Sequence, residues 1–267
     1  MRFVDITGVP DFECYEFKPK NNDYCLLIPI LNEKGRILPE LQRAVASGVA
    51  DICDIIIIDG GSTDGCCEDN LFEYGVNTLL IKTGEGKQGA QLRCGFFYAE
   101  MRNYTGYITI DGNNKDSIED VGQFITKLEE GYDFIQGSRY MKGGSHNNTP
   151  LGRQIGVRLI HVPTISKAGK YKFSDTTNGF RGYSSRYIAH KELKIYRDVF
   201  SGYELLAYLS VRAGQLGLRV TELPVERSYP KKGKTPTKIS PIKGGLNLLK
   251  ILRNTVKGKY NPVTEER

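Results

Sequence analysis

Residues 54–64 read DIIIIDGGSTD, and this stretch decides the fold class. Its four consecutive isoleucines, Ile55–Ile58, form a β-branched run with no polar break, which is typical of a strand covered on both faces. A polar turn of Asp, Gly, Ser and Thr follows directly, as expected where a strand leads into a helix. The segment therefore predicts a central strand of a parallel sheet.

On either side of this segment, short apolar runs alternate with longer amphipathic stretches. We predict strands at Tyr24–Leu31, Asp54–Ile58, Asn77–Lys82, Gly106–Ile110 and Asp133–Gly137. Helices are predicted between them, at Lys34–Ser47, Asp64–Tyr74, Lys87–Arg102 and Ser117–Glu129. Such alternation predicts an α/β fold with a mixed, mainly parallel sheet and helices on both faces.

The second half of the chain is less regular. Its predicted elements are a helix from Arg153 to about Ala168, a loop through Asp175–Gly182, a helix at Gly202–Ala213 and a strand at Leu218–Val225. The Lys-, Pro- and Gly-rich segment 228–240 cannot pack a core of its own and is predicted to be a loop. Because no internal repeat is visible, we predict one domain at residues 1–240 and a C-terminal extension at residues 241–267.

The extension is predicted to begin with a helix that runs from near Pro241 to about Val256. Its apolar stripe is flanked by basic residues and consists of Ile242, Leu246, Leu249, Leu252 and Val256. The stripe has two possible uses, which the sequence leaves open. It can pack on the domain's own core or on a second subunit, or it can lie in a membrane interface as a basic amphipathic helix.

Composition limits the class of protein. The 267 residues are 39% hydrophobic and 25% charged, which excludes a disordered or collagenous chain. A net charge of +6 indicates an anionic partner. No apolar run approaches the roughly 18–20 residues that span a bilayer, and the first residues lack the apolar core of a signal peptide. The predicted location is therefore the cytoplasm, including the cytoplasmic face of a membrane.

Cysteine spacing argues against a zinc site. The six cysteines include no Cys-x-x-Cys pair, and the three histidines stand far apart. Cys25 and Cys53 lie in apolar runs, as expected of small core residues in a reducing compartment. The adjacent pair Cys66-Cys67 is interpreted as part of a helix start rather than as a redox element.

Polar residues follow four of the predicted strands, where ligands bind in parallel sheets. They are Asn32-Glu33, the segment 59–64, the segment 84–89 and the segment 111–116. This set suits an activated-phosphate donor, because a carboxylate such as Asp111 can hold the divalent cation that neutralises a diphosphate. Lys87 and Arg93 begin the next helix, whose free N–H groups attract phosphate. Asp59 can accept hydrogen bonds from a base or ribose.

Motifs in both halves resemble a known family. LIPILNE at residues 27–33, IDGGSTD at residues 58–64 and the segment at Asp111 resemble the family 2 glycosyltransferases of the GT-A fold. GSRY at residues 137–140, PLGR at residues 150–153, DTTNGFR at residues 175–181 and ELPV at residues 222–225 are similar to motifs of the dolichyl- and polyprenyl-phosphate hexose synthases. The resemblance covers about Tyr24 to Lys238.

The resemblance implies roles for individual residues. The nucleotide-sugar site would comprise Pro29, Asn32, Glu33, Asp59, Lys87, Arg93, Asp111 and Gly112. The implied metal ligands are Asp111 and Asn113, in the position of the family's Asp-x-Asp motif. The implied catalytic residues are Asp111, Arg139 and Arg153, of which the two arginines grip the acceptor's phosphate with planar, bidentate guanidinium groups. Arg227 and Lys238 fall in the family's closing loop.

Three positions depart from the family pattern. Asp-Gly-Gly replaces Asp-Asp-Gly, so Gly60 removes a carboxylate from the base pocket. Asn113 supplies a neutral second metal ligand, and Lys115 stands where a glutamine is frequent. All three changes lower the negative charge near the cation. A Mg²⁺ or Mn²⁺ cofactor is therefore expected to bind weakly, and metal dependence is left open.

The expected function is transfer of a hexose, with inversion, from a nucleotide-diphosphate sugar to a polyprenyl (dolichyl-type) phosphate. The expected partners also include a membrane surface or a membrane protein. Two alternatives stay open: a transferase acting on a soluble or glycan hydroxyl, with Asp175 or Glu204 as base, and a catalytically degenerate nucleotide-binding subunit of a membrane complex. Nucleic acid is not an expected partner, because the basic stretch lacks interleaved aromatic residues apart from Tyr229 and Tyr260.

Overall fold

A mixed sheet of nine strands forms the centre of the computed structural model, which describes residues 1–67, 70–229 and 243–263. A separate pair of short strands, Ser145–Asn147 and Glu226–Ser228, lies outside this sheet. The strands in chain order are β1 (Arg2–Phe3), β2 (Phe12–Glu16), β3 (Tyr24–Ile30), β4 (Asp54–Asp59), β5 (Val76–Lys82), β6 (Gly106–Thr109), β7 (Phe134–Ser138), β8 (Ser145–Asn147), β9 (Arg181–Ser184), β10 (Val220–Pro224) and β11 (Glu226–Ser228).

Most neighbours in the sheet are parallel, as predicted. The order across the sheet is β1-β2-β5-β4-β3-β6-β9-β7-β10. The strands β5, β4, β3 and β6 pair in parallel, and so do β7 and β10. The strand β9 runs antiparallel to both β6 and β7, and β1 and β2 extend the other edge in antiparallel pairing. As a result, β3, β4, β6 and β7 point their carboxyl ends to the same edge.

Helices cover the two faces of the sheet or pack outside those that do. They are α1 (Ile37–Ala46), α2 (Val49–Ile52), α3 (Gln88–Met101), α4 (Val121–Glu129), α5 (Leu151–Gly156), α6 (Val162–Ala168), α7 (Ser185–Ile188), α8 (Glu204–Gln215) and α9 (Lys243–Val256). Short 3₁₀ segments lie at Leu71–Tyr74 and Ile118–Asp120, and a π-helical segment, Val157–His161, joins α5 to α6.

The isoleucines of β4 explain why both faces are covered. Alternate side chains point to opposite sides, so Ile56 and Ile58 pack with α3 and α8, whereas Ile55 and Ile57 pack with α1 and α4. All four are fully buried, and each burial stabilises the fold by about 1.5–3 kcal/mol. The predicted placement of helices on both faces is confirmed.

The helix predicted at Asp64–Tyr74 is wrong. Its first residues form a turn, because Gly65 takes a φ of 78°, which a right-handed helix does not allow. The Asp64 carboxylate accepts from the backbone N–H groups of Lys34 and Cys66, at 2.7 and 3.1 Å, and so competes with helical bonding. Only a 3₁₀ turn at Leu71–Tyr74 is helical among the described residues of this segment.

The other differences concern short strands. The predicted loop through Asp175–Gly182 ends in β9, whose four residues are too few to show an alternating pattern. The strands β1 and β2, at the antiparallel edge of the sheet, were also not predicted. The helix predicted from Arg153 to about Ala168 is confirmed as helical, with a π-helical segment in its middle.

The helix predicted in the C-terminal extension is present as α9, which packs against α6 and α8. Ile251 and Leu252 are buried in the same core as α3, whereas Leu246 is 65% exposed. Among the described residues, none of the helices combines the length and hydropathy that crossing a bilayer requires. The predicted loop 228–240 lies outside the described residues from position 230 onward, and so do Pro241 and Ile242.

Candidate active site

The common edge at the carboxyl ends of β3, β4, β6 and β7 gathers polar side chains from four turns. Asn32, Asp59, Asp111 and Arg139 lie at or just after these strand ends. Ligands of open α/β sheets bind in the crevice outside this edge. The edge is therefore the candidate active site.

Asn32 ties the first two turns together. Its backbone N–H donates to Oγ of Ser62 at 2.8 Å, and its side-chain oxygen accepts from the N–H of Thr63 at 2.8 Å. Its φ is 52°, in the left-handed region that asparagine tolerates better than most residues. Asn32 thus holds the shape of the pocket, with its amide oxygen already bonded inside the protein.

Asp59 ends β4 with a buried, oriented carboxylate. Its side chain is 3% exposed and accepts from the N–H groups of Gly61 at 3.1 Å and Ser62 at 3.0 Å. Oγ of Ser62 donates to the same carboxylate. These bonds hold the carboxylate at the strand end in one orientation.

A glutamine from α3 joins the ends of β3 and β4. Nε2 of Gln91 donates to the carbonyls of Ile30 at 2.7 Å and Ile58 at 2.8 Å. A Cβ added at Gly60 would lie 3.0 Å from that nitrogen, so a side chain at this position would crowd the amide. Gly60, the residue that departs from the family pattern, therefore leaves space for the side-chain amide of Gln91.

Asp111 lies half-exposed between two donors. Oδ1 accepts from Nε2 of Gln88 at 3.1 Å, and Oδ2 accepts from Nη2 of Arg227 at 3.1 Å. A Cβ at Gly179 would lie 2.7 Å from Oδ1, and one at Gly112 would lie 2.4 Å from the side chain of Ile30. Gly179 thus lets the backbone approach this carboxylate closely, and Gly112 lets the backbone pack against the side chains of β3.

Arg227 also contacts a second acid. Its Nη1 pairs with Oδ2 of Asp116, whose side chain is fully buried, and the two residues form an isolated β-bridge. Burial raises the pKa of Asp116 to about 6, and the attraction of Arg227 only partly opposes this. The carboxylates of Asp116 and Asp111 raise the pKa of Arg227 despite its burial, so the guanidinium stays charged.

Asp111 and Asn113 fit a divalent cation. Oδ1 of Asn113 is buried and has no hydrogen-bond partner within the described ranges. One carboxylate and one amide oxygen are ligands that Mg²⁺ or Mn²⁺ accepts, with water and substrate phosphate completing the shell. Lys115 lies nearby with a lowered pKa, caused first by burial and then by repulsion from Arg227.

Arg139 is part of a buried ion pair. Its Nε and Nη2 donate to Oδ2 and Oδ1 of Asp175 at 2.6 and 3.0 Å, and Nη2 also donates to Thr177 at 2.7 Å. Burial opposes the charge of Asp175, but Arg139 outweighs it and lowers the pKa of that carboxyl. The guanidinium is held in a single orientation by a bidentate partner.

Several cations surround one buried phenol. Tyr229 is 5% exposed, and its hydroxyl accepts from Nη1 of Arg153 at 2.7 Å. Lys115, Arg153 and Arg227 lie over its ring at 5.2, 5.7 and 5.7 Å. Burial opposes ionisation of this phenol, yet the charges of Arg227 and Arg153 outweigh burial and lower its pKa. We call Tyr229 with Lys115, Arg153 and Arg227 the cation cluster.

Pro29 and Glu33 lie on or beside β3. Pro29 is half-buried and pairs with Ile58 in the parallel register of β3 and β4. Glu33 is buried, and its carboxylate lies 2.5 Å from Nε of Arg36. Both residues are close in sequence to the turn that Asn32 supports.

Two backbone N–H groups at the start of α3 are hydrogen-bonded within the protein. Lys87 is exposed at the N-cap, but its backbone N–H donates to the carbonyl of Ser201 at 2.8 Å. The N–H of Ala90 donates to the same carbonyl at 3.1 Å. These N–H groups, expected to attract phosphate, are already bonded, although the ammonium of Lys87 faces solvent.

The contacts of Arg93 differ from those of the other predicted site residues. Its side chain is buried, and Nη1 donates to the carbonyl of Gly8 at 2.6 Å and to Asp198 at 3.0 Å. It therefore anchors the N-terminal segment to α3, and we leave it out of the donor site. Lys238 lies outside the described residues.

Three site residues were missed or given no role from sequence. No sequence pattern marks Gln91 as a site residue, because its hydrogen-bond partners are carbonyls of strands distant in the sequence. Asp116 belongs to the polar segment after β6, and its buried contact with Arg227 joins positions far apart in the chain. Tyr229 was noted only as an aromatic residue in the basic stretch, and only the fold reveals the cations around it.

Comparison with known proteins identifies relatives. The sequence model of the glycosyl transferase family 2 matches residues 25–190 of this chain. The glycosyltransferase AglJ of Haloferax volcanii is 26% identical over 237 residues, which cover 88% of this chain and 73% of that protein. The polyprenol monophosphomannose synthase of Mycolicibacterium smegmatis is 25% identical over 204 residues, which cover 75% of each chain.

Solved structures share the fold. Glucosyl-3-phosphoglycerate synthase from Mycobacterium tuberculosis, in complex with Mn²⁺, UDP and glucosyl-3-phosphoglycerate, superposes with a TM-score of 0.56 and 15% identity. The match covers 87% of this chain and 77% of that chain. The predicted GT-A architecture is confirmed by this likeness.

Proposed function

Because the chain belongs to glycosyl transferase family 2 and is a glycosyltransferase, we propose that it transfers a hexose from a nucleotide-diphosphate sugar to a polyprenyl phosphate. One observation carries the choice of acceptor: the cation cluster at Tyr229 lies beside Asp111, and Arg227 belongs to both. A neutral hydroxyl acceptor has no need of so many positive groups, whereas a phosphate does.

The donor is proposed to lie along the turns after β3, β4 and β6. Asp59, buried and oriented by Gly61 and Ser62, is suited to accept hydrogen bonds from the base or ribose. Asp111 and Asn113 would hold the divalent cation, which, when bound, neutralises charge on the leaving diphosphate. Lys115 and Arg227 add fixed positive charge at the same place.

The acceptor is proposed to approach from the side of Arg153. A phosphate oxygen attacks the anomeric carbon, the bond from that carbon to the diphosphate oxygen breaks, and the nucleoside diphosphate leaves with inversion. The phosphate is anionic near neutral pH, so positioning matters more than a strong base. Arg153 can exchange its bond to the Tyr229 hydroxyl for one to phosphate, and Arg139 is held nearby by Asp175.

An exposed apolar stripe supports the membrane as a partner. Leu151, Ile155 and Leu159 recur every four residues along the helical segment that carries Arg153, and Leu151 and Leu159 are each 71% exposed. Arg158 on the same segment is exposed too. With a net charge of +6, this face suits an anionic bilayer and would bring Arg153 to the lipid headgroup level. The cytoplasmic face of a membrane is the proposed location.

A hydroxyl acceptor finds less support in the geometry. Asp175 is fully buried against Arg139, which lowers its pKa and makes it a weak base. Glu204 accepts from the N–H of Gly202 at 2.6 Å. Neither carboxylate is free of an internal partner.

The test is a transfer assay with purified full-length chain. UDP-, GDP- and CDP-hexoses carrying label in the sugar are each incubated with polyprenyl phosphate in mixed micelles, with and without Mn²⁺. Label that extracts into organic solvent supports the proposal. Label that stays in water on an added glycan identifies a hydroxyl acceptor, and no turnover with any donor identifies a degenerate subunit; either result overturns the proposal. Asp111→Asn should lose the activity, and Arg102→Met, at a half-buried ion pair with Glu16 outside the candidate site, should keep it.

A further inference from the structure

The two adjacent cysteines after β4 point their sulfur atoms to the same side. Sγ of Cys66 and Sγ of Cys67 are 3.8 Å apart, in the turn that replaces the predicted helix. Neighbouring residues usually direct their side chains apart, and the left-handed Gly65 lets this turn bring the thiols together. Sequence spacing alone gave no indication of this arrangement.

A carboxylate completes a three-ligand cluster. Ligand atoms of Asp59, Cys66 and Cys67 all lie within 4.8 Å of one another. Asp59 and Cys66 are buried, and Cys67 is half-buried, so the cluster has one side open to entry. We call these three residues the thiol cluster.

The spacing of the sulfur atoms matches tetrahedral metal–thiolate geometry. With a Zn–S bond of about 2.3 Å, two thiolates on a tetrahedral ion lie about 3.8 Å apart. The sulfur atoms of Cys66 and Cys67 are already at that separation. The carboxylate of Asp59 retains acceptor capacity, because its two oxygens offer about four lone-pair sites and it receives three donors.

We propose that the thiol cluster binds one thiophilic divalent cation of the Zn²⁺ class. Two thiolates and one carboxylate form the protein ligands, and water takes the fourth position. Thiolates select soft ions over Mg²⁺ or Mn²⁺, so this site differs in ligand chemistry from the oxygen ligands at Asp111 and Asn113. Each thiol gives up its proton to solvent as the metal–sulfur bond forms.

Occupation of the thiol cluster has a consequence for the donor, which rests on the proposed function. Asp59 would then be shared between the cation and the nucleotide. A thiophilic cation is therefore expected to weaken nucleotide-sugar binding, even where Mn²⁺ supports it. This gives the transferase a point of inhibition by Zn²⁺ within its own donor pocket.

Titration of the reduced, metal-free full chain with Cd²⁺ tests the site directly, because Cd–thiolate bonds absorb in the ultraviolet. The expected result is an absorbance rise that saturates at one equivalent and is reversed by excess Zn²⁺. Cys66→Ser and Cys67→Ser should each lose most of it. Cys94→Ser is the matched control: Cys94 is a buried thiol that donates to the carbonyl of Pro10, so serine keeps that bond and the absorbance should stay.

Alkylation of the wild-type chain provides a second measurement that needs no variant. Bound Cd²⁺ should slow the alkylation of the half-buried Cys67 by iodoacetamide, as read by mass spectrometry. No absorbance rise in the wild type, or a rise that both serine variants retain, would overturn the site. Failure of every nucleotide sugar to bind would contradict the proposed function but not the metal site, because the Cd²⁺ measurements involve no nucleotide.

Discussion

Arg227 Nη2 lies 3.1 Å from Oδ2 of Asp111, so the carboxylate proposed for the divalent cation is paired with a fixed positive charge. A cation at Asp111 has to share that oxygen with the guanidinium or displace it. Because Arg227 also holds the buried Asp116, it does not leave easily. We therefore expect this pair to limit how strongly the proposed cation binds.

Removing this internal competitor should tighten metal binding. In the double variant Arg227→Met with Asp116→Asn, the buried pair is replaced by neutral groups, which avoids leaving an unpaired charge. We expect Mn²⁺ to bind about tenfold more tightly in the absence of donor, a gain of about 1.4 kcal/mol. Calorimetry measures this, with Arg102→Met as a control at an ion pair outside the candidate site. Unchanged or weaker Mn²⁺ binding would show that Arg227 does not compete at Asp111.

Arg153 should matter for the acceptor more than for the donor. Arg153→Ala removes a charged hydrogen-bond donor worth about 1.5–3 kcal/mol, so kcat/KM for polyprenyl phosphate should fall about 10–100-fold. Hydrolysis of the donor should change little. Tyr229→Phe removes only the phenol oxygen that Arg153 contacts and serves as the comparison. Equal losses of transfer and hydrolysis in Arg153→Ala would contradict the assigned role.

Gln91 should stabilise both the fold and the donor pocket. Gln91→Leu removes the amide donor from the carbonyls of Ile30 and Ile58. Because the Ile30 carbonyl keeps the N–H of Gly60 at 2.9 Å, the expected cost in the free energy of unfolding is about 1–3 kcal/mol. Urea denaturation measures the loss. The exposed Gln123→Leu should change stability by less than about 0.5 kcal/mol. A Gln91→Leu protein as stable as the wild type would mean that the two strand ends do not depend on this amide.

His161 should make stability depend on pH. Burial and the charge of Arg181 lower its pKa from 6.5 to about 4, although Asp175 acts in the opposite direction. Between those values the unfolded chain binds more protons than the folded one, so this residue's contribution to stability falls as the pH drops from about 6.5 to about 4. The loss attributable to His161 is about 3 kcal/mol.

His161→Asn keeps a polar partner for Thr176, which lies 2.7 Å from Nδ1, and removes the titration. The wild type should therefore lose more stability than the variant between about pH 7 and about pH 4.5 in urea unfolding. Parallel pH profiles for the two proteins would show that His161 titrates normally in the folded state.

Local sequence patterns predicted the sheet and its polar edge because each depends on neighbours in the chain. The isoleucines of β4 specify a buried strand, and Asp59 and Asp111 follow strand ends. The helix at Asp64–Tyr74 failed because backbone bonds to Asp64 and the left-handed Gly65 override an amphipathic pattern. Helical periodicity describes side chains and says nothing of such backbone competition.

The parts of the site that could not be predicted depend on distant partners. Arg93 looked like a phosphate ligand at the start of α3, but Gly8 and Asp198 bind its guanidinium. Arg227 reaches Asp116, which lies 111 positions earlier in the chain. Only the packed fold determines which acid each arginine meets.

The Ser201 carbonyl at the start of α3 has a consequence for binding of the proposed donor. It accepts from the N–H groups of Lys87 and Ala90, so the electropositive end of the helix dipole is partly neutralised from within. Attraction for the pyrophosphate of the proposed donor would then rest on the cation proposed at Asp111 and on ammonium and guanidinium side chains, whose fields salt screens within about 10 Å at 0.1 M. Affinity for the sugar nucleotide should consequently fall as the ionic strength rises. Changing a single charged side chain at this edge of the sheet should be enough to alter that affinity.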